Sequence, residues 1–343
     1  MEIPKPIPLT NLITALLDES TPFHPRFLNR LSDLEPVDTA LFAEAWPKVS
    51  LRRREALLED FEEIHLADDL LSFEAVARLG LKDKEPSVRT RAIRILREYE
   101  LVDLLPAFLD MSEHDPDIDV RAGAAAALAT YIYMGEVDDL SPSKLMRVEE
   151  CLLRLVSNET NTRIQRNALE ALGFSSRKKV NDLINKAYTS NNVDWLISAL
   201  IAMGRSANSR WKPQVLKMFI HPHPGVRAEA ASAAGELEIR TAKPMLLELL
   251  EDSDLDVRMA AIWSLSQVGS TGVRKALEKL LESTDDDEEA DQIKNALENL
   301  DFTNEMRDLA LLEIPEDGDD ADESSDDDYV ETDDDLISED VED

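Results

Sequence analysis

The sequence predicts an all-α fold: an α-solenoid (α-α superhelix) of about seven to eight stacked helical hairpins. Three observations predict it. One apolar stripe at helical spacing recurs along the chain, the phrase that opens it returns at intervals of 29 to 44 residues, and alanines on the stripe leave little volume between neighbours. The clearest copy is Asp254-Leu-Asp-Val257-Arg258, where Asp254 is a natural N-cap and Val257, Ala261, Leu265 and Val268 share one side of a helix. Glu85-Pro-Ser-Val88-Arg89 leads in the same way to Ala92 and Leu96, and Asp117-Ile-Asp-Val120-Arg121 to Ala124 and Leu128. Asn161-Thr-Arg-Ile164-Gln165 leads to Ala168 and Leu172, and His223-Pro-Gly-Val226-Arg227 to Ala230 and Ala234. Val193, Ile197 and Ile201 read as a degenerate copy. From Val88 through Val120, Ile164, Val193 and Val226 to Val257 the intervals are 32, 44, 29, 33 and 31 residues.

Taken in order, residues 1–10 hold three prolines and form a lead, and residues 11–80 form an irregular cap with one divergent repeat. The expected divisions are 1–44 for lead and cap, 45–312 for the repeats and 313–343 for a disordered acidic tail. Between the anchor helices the partners are expected at Leu101 to Leu109, Pro142 to Val156, Lys179 to Tyr188, Trp211 to Phe219, Pro244 to Leu250 and Gly272 to Leu281. The long interval between Val120 and Ile164 holds either an enlarged connection or a lengthened helix. Residues 285–300 carry Ile293, Ala296, Leu297 and Leu300 on one face as the closing element, with a further helix from Glu305 to Leu312.

These units resemble HEAT repeats of the short prokaryotic kind. The resemblance implies that the Arg after the buried Val pairs with an acid across successive repeats, which assigns a ladder to Arg89, Arg121, Arg227 and Arg258 with Glu85, Asp117 and Asp254. His223 stands at an acid position and Gln165 at an arginine position, so the ladder is interrupted there. In that architecture the Val-Arg helices line the concave side. The candidate binding surface is then Arg91, Arg94, Glu98, Glu229, Glu236, Met259, Trp263 and Gln267.

Charge narrows the partners. The formal net charge is -35, from 37 basic and 72 acidic residues. Residues 313–343 contain 18 acids and no Lys or Arg, which leaves 54 acids and 37 bases, or -17, in the body. Such a field disfavours nucleic acid and anionic membrane and favours basic partners. Tyr329, Val330, Leu336 and Ile337 interrupt the acidic blocks and are candidate anchors of a tail motif. No run approaches the roughly 18 to 20 apolar residues that span a bilayer, and the expected location is the cytoplasm.

Catalytic signatures are absent from the pattern. His24, His65, His114, His221 and His223 offer no two-His and carboxylate arrangement, no Gly-rich phosphate loop occurs, and Cys151 stands alone among leucines. Iron-dependent hydroxylases that resemble HEAT proteins carry repeated His-Glu pairs, and none is present here. The expectation is a noncatalytic protein-interaction scaffold with neither cofactor nor metal, binding a partner with a basic patch. Its tail would serve basic partners or self-regulation. The alternative is a HEAT-like enzyme similar to phycobilin lyases or DNA glycosylases.

Overall fold

The computed structural model describes residues 7–67, 70–269 and 272–312, and every regular element among them is helical. By contacts the chain divides into residues 1–300 and 301–343. The predicted tail motif, Tyr329, Val330, Leu336 and Ile337, lies outside the described residues. The first unit opens with α1 (Leu9–Leu17), α2 (Pro36–Ala45) and α3 (Leu51–Ala67). Hairpins follow: α4 (Glu74–Gly80) with α5 (Pro86–Leu96), α6 (Leu105–His114) with α7 (Ile118–Glu136), and α8 (Pro142–Asn158) with α9 (Thr162–Leu172). Next come α10 (Lys178–Tyr188) with α11 (Val193–Arg205), α12 (Lys212–Lys217) with α13 (Pro224–Glu236), and α14 (Lys243–Leu249) with α15 (Leu255–Val268). α16 (Val273–Ser283) and α17 (Asp287–Leu312) complete the order, and α17 is one helix where the sequence suggested two.

Second helices pack on second helices, α3 on α5, α5 on α7 and onward to α15, while each first helix packs chiefly on its own partner. The second helices therefore form a continuous anchor layer. From α5 to α15 each inserts the third, seventh and eleventh residues past its cap, so Val88, Ala92 and Leu96, or Val257, Ala261 and Leu265, are almost fully enclosed. In α11 the register differs from the sequence reading. Asn192 is the cap, accepting the Trp195 backbone N–H at 3.1 Å, so the equivalent residues are Trp195, Ala199 and Met203 rather than Val193, Ile197 and Ile201. A Trp in the Val position concealed the copy. The long interval proves to be helix and not loop, since α7 has 19 residues and α8 has 17.

Glycines recur twelve residues past the caps of α9, α11 and α13, at Gly173, Gly204 and Gly235. A Cβ on Gly173 would stand 2.8 Å from the Ala202 Cα, one on Gly204 would stand 3.2 Å from the Ala233 Cα, and one on Gly235 would stand 3.0 Å from the Ser264 Cα. Bare backbone thus lies against backbone at these ends of the anchor layer.

At the opposite ends an arginine four residues past the cap fastens most of the junctions. Arg89 donates from Nη1 to the Asp83 carbonyl at 2.9 Å, and its Nε and Nη2 grip both oxygens of Asp115 at 2.9 and 2.7 Å. Arg227 repeats this on the His221 carbonyl at 2.9 Å and on Asp252 at 2.8 Å twice. Arg54 reaches Asp83, Arg121 reaches Glu159 and Arg258 reaches Glu289. The fork holds Asp252 below the usual carboxylate range and raises Arg227 in return.

The acids assigned from sequence are not the ones paired. Asp117 and Asp254 accept backbone N–H groups of their own helices, from Asp119 and Val120 and from Val257, and Glu85 stands at the cap position of α5. The partner carboxylates lie two residues earlier, in the turn, where Asp83, Asp115, Glu159 and Asp252 also accept the N–H of residues 85, 117, 161 and 254. A cap carboxylate is committed to its own helix N-terminus, so the preceding hairpin's arginine takes the turn acid. By the same rule His221, not His223, occupies the acid position, its Nδ1 accepting the His223 N–H at 3.1 Å. Its counterpart on α11 is Leu196, and the counterpart of Gln165 is Ser190. Arginine and acid are missing together, so neither junction buries a lone charge. Beside Gln165, Ser190 and Trp195 an opening of about 420 Å³ remains.

Gly173→Ala is expected to cost about 1–3 kcal/mol through overpacking. Gly123→Ala, where the new Cβ would meet nothing closer than 3.9 Å, is expected to be neutral or to stabilise α7 by up to about 1 kcal/mol. Urea denaturation of both variants checks the contrast. Arg227→Ala strands the Asp252 carboxylate, whose side chain is 11% exposed, at a cost of about 3–5 kcal/mol. Arg227→Leu combined with Asp252→His, the pair already used at 196 and 221, recovers most of that loss in the same assay.

Candidate functional site

The sixth, ninth and thirteenth residues past each cap stand off the buried stripe, as helical periodicity requires. On α9 they give Glu170 and, just past its end, Phe174; on α11, Arg205; on α13, Glu229 and Glu236; on α15, Trp263 and Gln267. The C-terminal ends of these helices surround a groove of about 560 Å³, whose lining includes Tyr133, Glu136, Phe174, Arg205, Glu236 and Trp263.

One wall comes from the lengthened α7. Glu136 is nineteen residues past Asp117, whereas α9, α11 and α13 end eleven to thirteen residues past their caps. At about 1.5 Å per residue the overhang is about 9 Å. Tyr133 meets Phe174 edge-on with ring centroids 5.6 Å apart, and the Ser176 N–H donates to Glu136 Oε1 at 2.9 Å, tying the wall to the next turn. The opposite wall depends on the glycines, because the missing Cβ at Gly204 makes room for the Glu236 carboxylate and that at Gly235 for the Trp263 ring.

Charge in the groove is unbalanced. Among the described residues Arg205 is the only cation in its lining, against Glu136, Glu236 and Glu238. Its guanidinium lies 5.4 Å over the Phe174 ring and donates to the Glu170 backbone oxygen at 2.9 Å. Behind it, the Glu170 carboxylate accepts from Ser198 Oγ at 2.5 Å. Burial, then the fields of Glu170 and Glu236, push Glu229 up to about 7, with Arg205 opposing. Burial raises Glu170, less the Ser198 hydrogen bond and the Arg205 charge. Burial of the surrounding carboxylate site raises Glu236, less the opposing Arg205 charge, although its side chain remains exposed in the groove.

A second groove, of about 510 Å³, lies near the start of the layer between α5 and α7 and is lined by Arg91, Arg94, Arg97 and Arg163. Its arginines are matched by acids: Arg91 by Glu59 and Glu62, Arg94 by Glu62, Arg97 by Glu98 and Arg163 by Asp119. Of the predicted surface, then, Arg91 and Arg94 line this groove and Glu98 pairs at its edge. Glu236, Trp263 and Gln267 line the acidic groove, with Glu229 behind it. Met259 is half-buried and lines neither. Sequence reasoning missed Tyr133, Glu136, Phe174, Arg205 and Glu170. Two signals pointed to them, the 44-residue interval and the glycines 31 residues apart.

Among the described residues no group of three or more His, Cys, Asp or Glu is placed to hold a metal, and no helix is long and apolar enough to cross a membrane. Burial raises the Cys151 thiol, which lies 3.6 Å from Ser112 Oγ.

A family model described as HEAT repeats matches residues 213–300. No curated protein sequence matches the chain significantly. Among solved structures the chain is similar to the complex of CpcE and CpcF of phycocyanin lyase from Nostoc sp. PCC7120, at 19% identity over 66% of this chain and 94% of that one, with a TM-score of 0.44. It is also similar to YibA of Escherichia coli, at 17% identity over 88% and 99% with a TM-score of 0.37. Human deoxyhypusine hydroxylase is similar at 18% identity over 76% and 95%, with a TM-score of 0.34.

Glu229 gives a pH signature. Its folded pKa of about 7 lies above the ordinary value of 4.5, so folding binds a proton between those values and stability falls as pH rises through them. Glu229→Gln removes this loss, and is expected to be more stable than the parent by up to about 2 kcal/mol at pH 8 but not at pH 4. Denaturant midpoints at the two pH values decide it, and an equal gain at both excludes titration of Glu229 as the cause.

Proposed function

We propose that this HEAT-repeat protein is a noncatalytic scaffold that binds a partner protein along its anchor layer. One observation carries the reading. The residues standing off the buried stripe run from helix to helix and open into two grooves, one self-neutralised and one acidic, so they offer repeated shallow contacts along a row. Cys151, the one cysteine, is buried and its thiol raised, which suits packing better than attack. The partner carries a basic patch, to match a body of charge -17. The acidic residues beyond 312 either recruit a basic surface or regulate access to the layer, and the setting is the cytoplasm.

A photo-crosslinking amino acid placed at Arg94 or Gln267 on the anchor layer is expected to capture the same partner from lysate, identified by mass spectrometry. Placed at Lys144 on α8 or Lys279 on α16, it is expected to capture little. Equal capture from both layers, or capture from α8 and α16 alone, rejects the scaffold surface. A chain ending at Leu312 separates the tail's contribution, since partners lost on truncation belong to the tail and partners retained belong to the helices.

A further inference from the structure

The acidic groove is built to take a cation beside an aromatic surface. Glu136 comes from the α7 overhang and Glu236 from the end of α13, on opposite walls, with Glu238 nearby. Arg205 is committed to Phe174 and to the Glu170 backbone, and leaves an excess of carboxylate toward solvent. Tyr133 and Val137 are 48% and 46% exposed, large apolar groups on the rim that nothing in the described unit covers. Trp263 adds a half-buried indole to the wall that carries Glu236. A groove so open and so apolar along its walls suits a chain segment better than a small ion, which water would strip away.

We propose that this groove seats an extended basic segment of the partner protein, which presents a Lys or Arg side chain between Glu136 and Glu236 and an adjacent apolar or aromatic side chain against Tyr133 and Trp263. The assignment rests on the scaffold reading and adds the partner's chemistry to it. Carboxylates on two walls fix where the cation sits, and the ring faces favour the same charge through their quadrupoles. The arginine-lined groove near α5 does not compete for an acidic segment, because its guanidiniums already hold Glu59, Glu62, Glu98 and Asp119.

The test is fluorescence anisotropy of the full chain with a fluorescein-labelled peptide of alternating arginine and tyrosine. The groove variant Glu136→Gln/Glu236→Gln is expected to bind about tenfold more weakly. The remote variant Glu282→Gln/Asp285→Asn, with the same change in net charge, is expected to shift affinity by less than about twofold. Tyr133→Ala, which also gives up the ring contact with Phe174, is expected to weaken binding about fivefold at a temperature where circular dichroism shows the variant folded. Equal losses in the groove and remote variants would mean that net charge alone attracts the peptide and would overturn the proposal. So would absence of binding, or tighter binding of a glutamate-tyrosine peptide. Capture of a partner at Gln267 that survives the groove variant sinks this proposal and leaves the scaffold standing.

Discussion

Close approach of successive anchor helices is the condition on which the structure depends. At the C-terminal ends of α9, α11 and α13 the seam has room only for small residues, and the chain supplies Ala202 against Gly173, Ala233 against Gly204 and Ser264 against Gly235. Each contact is local, so stability accumulates junction by junction and not from one central core. Function inherits the same condition, since the side chains displaced from the seam are the ones that furnish the exposed row.

The arginine forks act at the other end of α3, α5, α7, α13 and α15 and set register. A guanidinium that spans its own turn carbonyl and the next hairpin's carboxylate satisfies two orphan groups with one side chain, and its planar geometry admits little sliding. The replacements are instructive. Gln165 retains the bond to its own turn, to the Glu159 carbonyl at 2.8 Å, and gives up the bond across the junction. Glu289 substitutes from within α17 for a turn acid, with Thr284 at the turn donating to it at 2.5 Å.

Much of this was legible in the sequence because solenoid repeats write their packing locally. The stripe Val88, Ala92, Leu96 and its copies follow from helical period alone, and the observed burial matches it. The α11 copy was misread because Trp195 departs from the β-branched type, although Asn192 announced the cap. Ladder acids were misassigned because Asp117 and Asp115 are equally acidic and two residues apart, and only geometry shows which carboxylate is spent on its own helix. Glu229, Glu236, Trp263 and Gln267 could be placed on one face by counting. The convergence of Glu236, Trp263 and Gln267 with Tyr133 and Glu136 could not, since it depends on how far α7 overhangs residues some hundred positions away.

The junctions on either side of α11 lack an arginine fork at one end and have backbone in contact through Gly173 and Gly204 at the other. The acidic groove lies at the glycine margin. The forkless margin is held across α9 and α11 by the Arg166–Asp194 ion pair at 3.6 Å, whereas Phe174, Arg205 and Glu236 each directly follow a glycine of the other margin, so backbone contact spaces the groove side chains one hairpin apart.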